Sequence, residues 1–313
     1  MPFHLSSFVS AHPLDLLFSD VWGPSSISSV NGNKYYVCFI DDFSKFIWLY
    51  PIVAKSDVIT VFQKFQVHVE RLFNRKIKAI QTDWGGEFRK LNPFFAKCGI
   101  AHRLSCPHHH KQNGSVERKH RHIVDTGLTL LVAASMSRKY WDEAFTTTCF
   151  LINRLPSLVL KNKSPLQVLF NQTPNFKILK VFGCACWPHL CPYNTRKFDF
   201  RSKLYVFLGY SLHHRGYCCL HIPSGRVYIS KNVIFDETRF PFGLSSQTPT
   251  STLISSLPQS LQVPTASPST SSHVSSPAPT FGLPCPSTEP VPSPVAPSAT
   301  MVPTTPSHNM QTR

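Results

Sequence analysis

Acidic side chains are scarce in this chain. Its 313 residues hold 16 Asp and Glu against 32 Lys and Arg, a formal net charge of +16. That imbalance argues against a cationic partner and points to nucleic acid or another anionic surface. Long apolar runs are also missing. The best stretch, Leu128 to Ala134, is far too short for a membrane-spanning helix. The N-terminal run MPFHLSSFVSAHPLDLLF lacks the basic start and apolar core of a secretory signal. These absences set the expectation of an intracellular protein with no membrane partner. Ten cysteines occur without a single Cys-x-x-Cys pair, which excludes the two-plus-two spacing of a structural zinc site. The thiols read as reduced, buried small hydrophobes. Charge nearly vanishes from Gly243 onward, where Glu289 faces Arg313 and 14 of the 27 prolines lie. A Pro/Ser/Thr segment of this kind cannot bury enough apolar surface to fold, so a disordered tail is expected. The net positive charge therefore falls on residues 1–242.

What is present is a patterned chain of 42% apolar residues, long enough for roughly two domains. Leu16-Leu17-Phe18 is a short apolar run ending at Ser19-Asp20. KYYVCFI and FIWLYPIV read as strands, with Asn31-Gly32 before the first and Asp42 to Lys45 between them. Ser56-Asp57 opens a helix whose Val58, Val61, Phe62, Phe65, Val69, Leu72 and Phe73 recur at helical spacing. A strand over Lys76–Gln81, a short helix over Leu91–Ala96 and a strand over Ile100–Leu104 follow. Helices are predicted from Gly114 to about Ala134 and from Lys139 to Asn153. The order implies a mixed sheet with helices packed on it, an α/β arrangement compatible with a ribonuclease-H-like core. Later runs (KVFGCACW, KLYVFLGY, GYCCLHI and RVYISKNVIF) suggest a small barrel or sandwich of short strands.

Three carboxylates stand out against the basic background: Asp20 in FSDVWGP, Asp83 in TDWGGEF and Glu117 in HKQNGSVERKHR. Asp20 and Asp83 are expected at strand ends and Glu117 in the first turn of a helix. Acids so placed can converge from distant parts of the chain. Gly85-Gly86 permit close backbone approach beside Asp83. Asn113, Arg118, Lys119 and Arg121 make a polar, basic flank on which a phosphate backbone fits. Asp41, Asp42 and Glu87 read as structural, and His108-His109-His110 as a polar loop.

Residues 15–240 resemble the integrase segment of a copia-type LTR retrotransposon polyprotein. The words that carry the resemblance are FSDVWGP, YYVCFIDDFSKFIWLYPI, IQTDWGGEF, PHHHKQNGSVERKHR, YWDEAF with LINRLPS, SPLQVLF, KVFGCACW, FLGYS and VYISKNVIFDE, in the family's order. The resemblance implies a ribonuclease-H-like core followed by a small SH3-like barrel. It divides the chain into an N-terminal remnant (1–12), a catalytic core (13–160), a linker with the SH3-like domain (161–242) and the tail (243–313). It also implies that Asp20, Asp83 and Glu117 form a catalytic and metal-binding triad for two Mg²⁺ or Mn²⁺ ions. The partners would be the element's DNA ends and a target DNA, handled by a homo-oligomer in the nucleus. The reaction would be 3′-end processing followed by strand transfer.

The chain also departs from the family pattern. The 33 residues between Asp83 and Glu117 are slightly fewer than usual. His120 stands where relatives carry Asn, and Trp84 is bulky beside Asp83. The family's His/Cys zinc module would precede Asp15. These departures keep a second reading open, a catalytically inactive DNA-binding relic, and fit a fragment of a longer polyprotein. A simple metal nuclease is a third.

Overall fold

The computed structural model describes residues 10–83, 85–104, 114–190, 200, 202–211 and 214–244. The first sheet has five strands: β1 (Leu17–Trp22), β2 (Tyr35–Asp41), β3 (Ile47–Ile52), β4 (Ala79–Thr82) and β5 (Ala101–Leu104), in the order β3-β2-β1-β4-β5. β1–β2 and β2–β3 are antiparallel, whereas β1–β4 and β4–β5 are parallel. This is the ribonuclease-H-like mixed sheet expected from the sequence.

Helices cover both faces. On one side lie α1 (Val58–Phe73), the short α2 (Gly86–Arg89) and α3 (Asn92–Cys98). Val58, Phe62, Phe65 and Val69 of α1 recur every three or four residues and pack on Val37, Phe39 and Ile80. Asn74 closes α1 in the left-handed conformation, φ 48°. On the other side lie α4 (Gly114–Ala133) and α5 (Trp141–Ile152). Val116, His120, Ile123 and Leu131 form the buried seam of α4, and Glu117, Arg118, Arg121 and His122 are exposed. Strand β2 is buried on both faces because it lies between two strands and two helical layers. Asn153, just after α5, accepts from Ile47 N at 2.9 Å and donates to Ile47 O at 2.8 Å, so an amide side chain completes the edge of β3.

The short helix α6 (Pro165–Phe170) leads to a second sheet of β6 (Ala185–Pro188), β7 (Tyr205–Tyr210), β8 (Tyr217–His221), β9 (Arg226–Ser230) and β10 (Val233–Asp236), before α7 (Pro241–Leu244). Its order is β10-β6-β7-β8-β9 and every pairing is antiparallel. Val206, Leu208 and Leu220 of this sheet join Phe145, Cys149 and Ile152 of α5 in one apolar cluster. Thr147 Oγ1 donates to Leu208 O at 3.1 Å. Next to it Gly209 has φ +127°, and a Cβ there would lie 2.1 Å from Thr147 Oγ1. Glycine lets β7 reach the helix.

Two expectations need correction. Asp20 is not at a strand end: β1 runs on to Trp22, and alternating burial continues through Val21 and Trp22. The helix expected from Lys139 begins as a 3-10 turn, Arg138–Tyr140, in which Ser137 Oγ accepts from Lys139 N; the α-helical part starts at Trp141. Most of the expected tail, and the start of the N-terminal remnant, lie outside the described residues.

Candidate active site

Period-two alternation in β1 turns Phe18, Asp20 and Trp22 toward α4 and α5, while Leu17 and Val21 join the cluster under α1. Asp20 pairs across the strands with Cys38. Strand β4 runs parallel to β1, so its C-terminal end delivers Asp83 to the same region. Burial and the Asp20 carboxylate raise Asp83 above the usual carboxylate range; the Gly85 N–H, 3.3 Å away, pulls the other way, Glu87 adds to the rise and Lys55 opposes it. Two acids from adjacent strands thus sit close enough to repel.

Glu117 lies in the first turn of α4 and is exposed. Among the described residues no group of three or more His, Cys, Asp or Glu is arranged to hold a metal ion. The structure therefore brings Asp20 and Asp83 together and leaves Glu117 outside a closed ligand set. Its helix follows the segment 105–113, which lies outside the described residues, as do Asn113, Trp84 and His108 to His110.

One helical turn beyond Glu117, His120 is buried and points inward. Its Nε2 is 3.3 Å from Asp20 Oδ2 and 3.8 Å from Cys38 Sγ; its Nδ1 is 2.8 Å from Tyr36 Oη. Burial works against charge on this ring, but Cys38 and the hydrogen-bonded Asp20 outweigh it and push His120 up to about 10. A doubly protonated ring donates to Asp20 and to Tyr36 at once. The Tyr36 phenol, fully buried, is pushed far up by desolvation and stays neutral. Trp22 stacks on Tyr36 with ring centroids 5.2 Å apart. The sequence marked His120 as a departure, but nothing in it signalled Tyr36, which arrives from β2 only through sheet register.

Arg118 and Arg121 are exposed beside Glu117. Lys119 is half-buried, and desolvation lowers its pKa, so its ammonium is less free for a phosphate than the exposed guanidinium groups of Arg118 and Arg121. The acids read as structural have structural partners. Asp41 is fully buried and accepts from Ser44 Oγ (2.6 Å), Ser44 N (2.8 Å) and Leu14 N (2.9 Å). Asp42 accepts from Ser10 Oγ and Lys45 Nζ. Glu87 pairs with Lys55 at 3.3 Å.

A ribonuclease-H-like sheet with two acids meeting on its central parallel strands, followed by a small antiparallel sheet, defines an integrase-type protein. Residues 10–110 match the integrase core domain family, and residues 184–248 match the retroviral polymerase SH3-like domain. The chain is 48% identical over 246 residues to the retrovirus-related Pol polyprotein from transposon RE2 of Arabidopsis thaliana, covering 79% of this chain and 17% of that protein. It is 48% identical over 242 residues to the corresponding polyprotein from transposon RE1 of the same plant, covering 77% and 16%. For the polyprotein from transposon TNT 1-94 of Nicotiana tabacum the identity is 38% over 238 residues, covering 75% and 18%. The chain thus carries an integrase core domain and a retroviral polymerase SH3-like domain, and is similar to a segment of retrovirus-related Pol polyproteins from copia-type plant transposons. It spans less than a fifth of the length of these relatives. Among solved structures, a simian T-cell lymphotropic virus intasome in complex with PP2A regulatory subunit B56 gamma aligns with TM-score 0.42 and 14% identity, covering 71% of this chain and 77% of that one. The HTLV-2 integrase catalytic core in complex with magnesium, in trimeric form, aligns with TM-score 0.39 and 18% identity, covering 51% and 98%.

Proposed function

We propose that this segment joins DNA ends to a target DNA by divalent-metal-dependent polynucleotidyl transfer, with Asp20, Asp83 and Glu117 as its catalytic acids. The observation that carries the reading is the approach of Asp20 and Asp83 from adjacent parallel strands, close enough for one to raise the other. Like charges so placed are relieved by a cation, and hard carboxylate oxygens suit Mg²⁺ or Mn²⁺. The residues fit such a group. Asp20, Asp83 and Glu117 would hold it. Two bound ions would stabilise the attacking and leaving oxygens of an in-line displacement.

The chain's own residues set the geometry around that chemistry. His120 holds Asp20 Oδ2, and the Gly85 N–H holds Asp83 Oδ1. Arg118 and Arg121 lie beside Glu117, where they would pair with the phosphate backbone. In the first step water attacks a phosphodiester near the element's end and frees a 3′ hydroxyl. In the second, that hydroxyl attacks a target phosphodiester, forming one P–O bond as another breaks. Action in the nucleus and assembly as a homo-oligomer follow from the substrate and the two-ended reaction. Among the described residues no helix is long and apolar enough to cross a membrane.

Strand transfer of a labelled DNA end, wild type against Asp83→Asn in Mg²⁺ or Mn²⁺, tests the proposal; equal activity would sink it. The exposed position of Glu117, outside a closed ligand set, favours a second reading in which the chain binds DNA without joining it. Salt-dependent DNA binding that survives loss of all three acids, with no strand transfer by the wild type, would select that reading.

A further inference from the structure

We propose that His102 is a positioning residue for Asp83, acting through Thr82. The inference deepens the function proposed above and rests on that reading of Asp83. Strand β5 pairs with β4 in parallel, Ile80 opposite His102 and Thr82 opposite Leu104. This register sets the His102 ring diagonally across from Thr82, the last residue of β4. His102 Nε2 is 2.9 Å from Thr82 Oγ1, and His102 Nδ1 is 2.6 Å from Asn92 Oδ1 at the start of α3. Phe95 of α3 lies edge-on to the imidazole, with centroids 5.0 Å apart. Thr82 is fully buried.

The chain of bonds has one consistent direction. Desolvation lowers the pKa of His102, so the ring is neutral and carries one proton. The Asn92 carbonyl oxygen only accepts, so that proton sits on Nδ1. Nε2 is then the acceptor, and the Thr82 hydroxyl donates to it. The Thr82 side chain is thereby fixed in direction between α3 and β5. A backbone of period two sends the next side chain to the opposite face, toward Asp20. Rotation at Thr82 would swing Asp83 away from its partner acid. Apolar residues could fill this space without the cost of burying three polar groups. What a hydrogen-bonded chain adds is a defined rotation of the strand end, the service that outer partners give metal-ligating carboxylates.

The test measures Mn²⁺ binding to the whole chain by calorimetry, thermal stability, and kcat and KM for DNA in strand transfer. Thr82→Val keeps the shape of the side chain and removes the hydroxyl. Thr82→Ser keeps the hydroxyl. His102→Phe keeps the packing on Phe95 and removes both ring nitrogens, and serves if Thr82→Val does not fold. Thr82→Val and His102→Phe should each weaken Mn²⁺ binding and lower kcat by about tenfold, with the DNA KM unchanged. Thr82→Ser should restore both. Wild-type Mn²⁺ affinity in a folded Thr82→Val or His102→Phe overturns the inference while leaving the catalytic acids intact. Failure of Thr82→Ser to restore binding also overturns it. If Asp83→Asn binds Mn²⁺ as the wild type does, the metal-site reading falls, and this inference with it.

Discussion

His120 Nε2 lies 3.3 Å from Asp20 Oδ2, and the other nitrogen of the same ring lies 2.8 Å from Tyr36 Oη. A helix, two strands and one imidazole thus meet at the first of the proposed catalytic acids. His120→Ala would leave the phenol of a fully buried tyrosine without this partner. We expect a loss of about 1–3 kcal/mol from that group alone, measured by urea unfolding. Tyr36→Phe should cost less, and the double variant should cost less than the sum of the two.

Asp83 holds its carboxylate against burial and against Asp20. Its ionised form therefore opposes folding when no cation is bound. Metal-free Asp83→Asn should be at least as stable as wild type at pH 7 by thermal melting, although it loses strand transfer. A variant clearly less stable than wild type would contradict this electrostatic account.

Glu143 sets a pH dependence away from the catalytic acids. Burial and the neighbouring Asp142 raise it to about 7, against a hydrogen bond from Asn31. The folded chain holds this proton more tightly than the unfolded chain does. Stability from this group is full below the ordinary glutamate pKa and is lost as pH rises to about 7. The loss should be somewhat less than the roughly 3 kcal/mol of a full shift, because the group is partly exposed. Glu143→Gln should flatten the stability profile between pH 5 and 8 (a range of about three units) and be the more stable protein at the upper end.

Gly209 is the point where the second sheet meets helix α5. Its φ is +127° and a Cβ would press on Thr147, so Gly209→Ala should destabilise by about 1–3 kcal/mol or more. Because β7 and α5 share one apolar cluster, both sheets should melt in a single transition at lower temperature. Two separate transitions in calorimetry would count against a shared core.

Arg118 and Arg121 predict the salt dependence of DNA binding. Replacing either with Ala should weaken binding to unrelated DNA sequences about equally and lower the salt slope by about one unit. The half-buried Lys119 should contribute less to that slope.

The order of strands and helices along the chain, the helix positions and the family words were legible in the sequence because each is a local pattern. The seam of α1 is a helical repeat, β2 is a continuous apolar run, and FSDVWGP and TDWGGEF mark their acids through their resemblance to the family's words. The site around those acids was legible only in part. Asp20 was expected at a strand end and lies inside β1, since nothing local distinguishes the last strand residue from one two positions earlier. His120 was visible as an oddity with no partner. Tyr36, Thr82, His102 and Asn92 carried no signal, for each matters through a neighbour distant in the chain.

The sequence by itself determined the basic character of residues 1–242, the α/β alternation, the short strands of the second region and the positions of the three acids. Those properties depend on residue type and on periods of two and 3.6, which a linear string contains. Tertiary structure decided which side chains meet. Parallel pairing of β1 with β4 put Asp83 beside Asp20, and antiparallel pairing of β1 with β2 put Cys38 on the same face. Packing of α4 on that face carried His120 to Asp20 while leaving Glu117 one turn away and exposed. Such meetings depend on strand register and helix rotation, and a shift of a single residue in either would have paired different side chains.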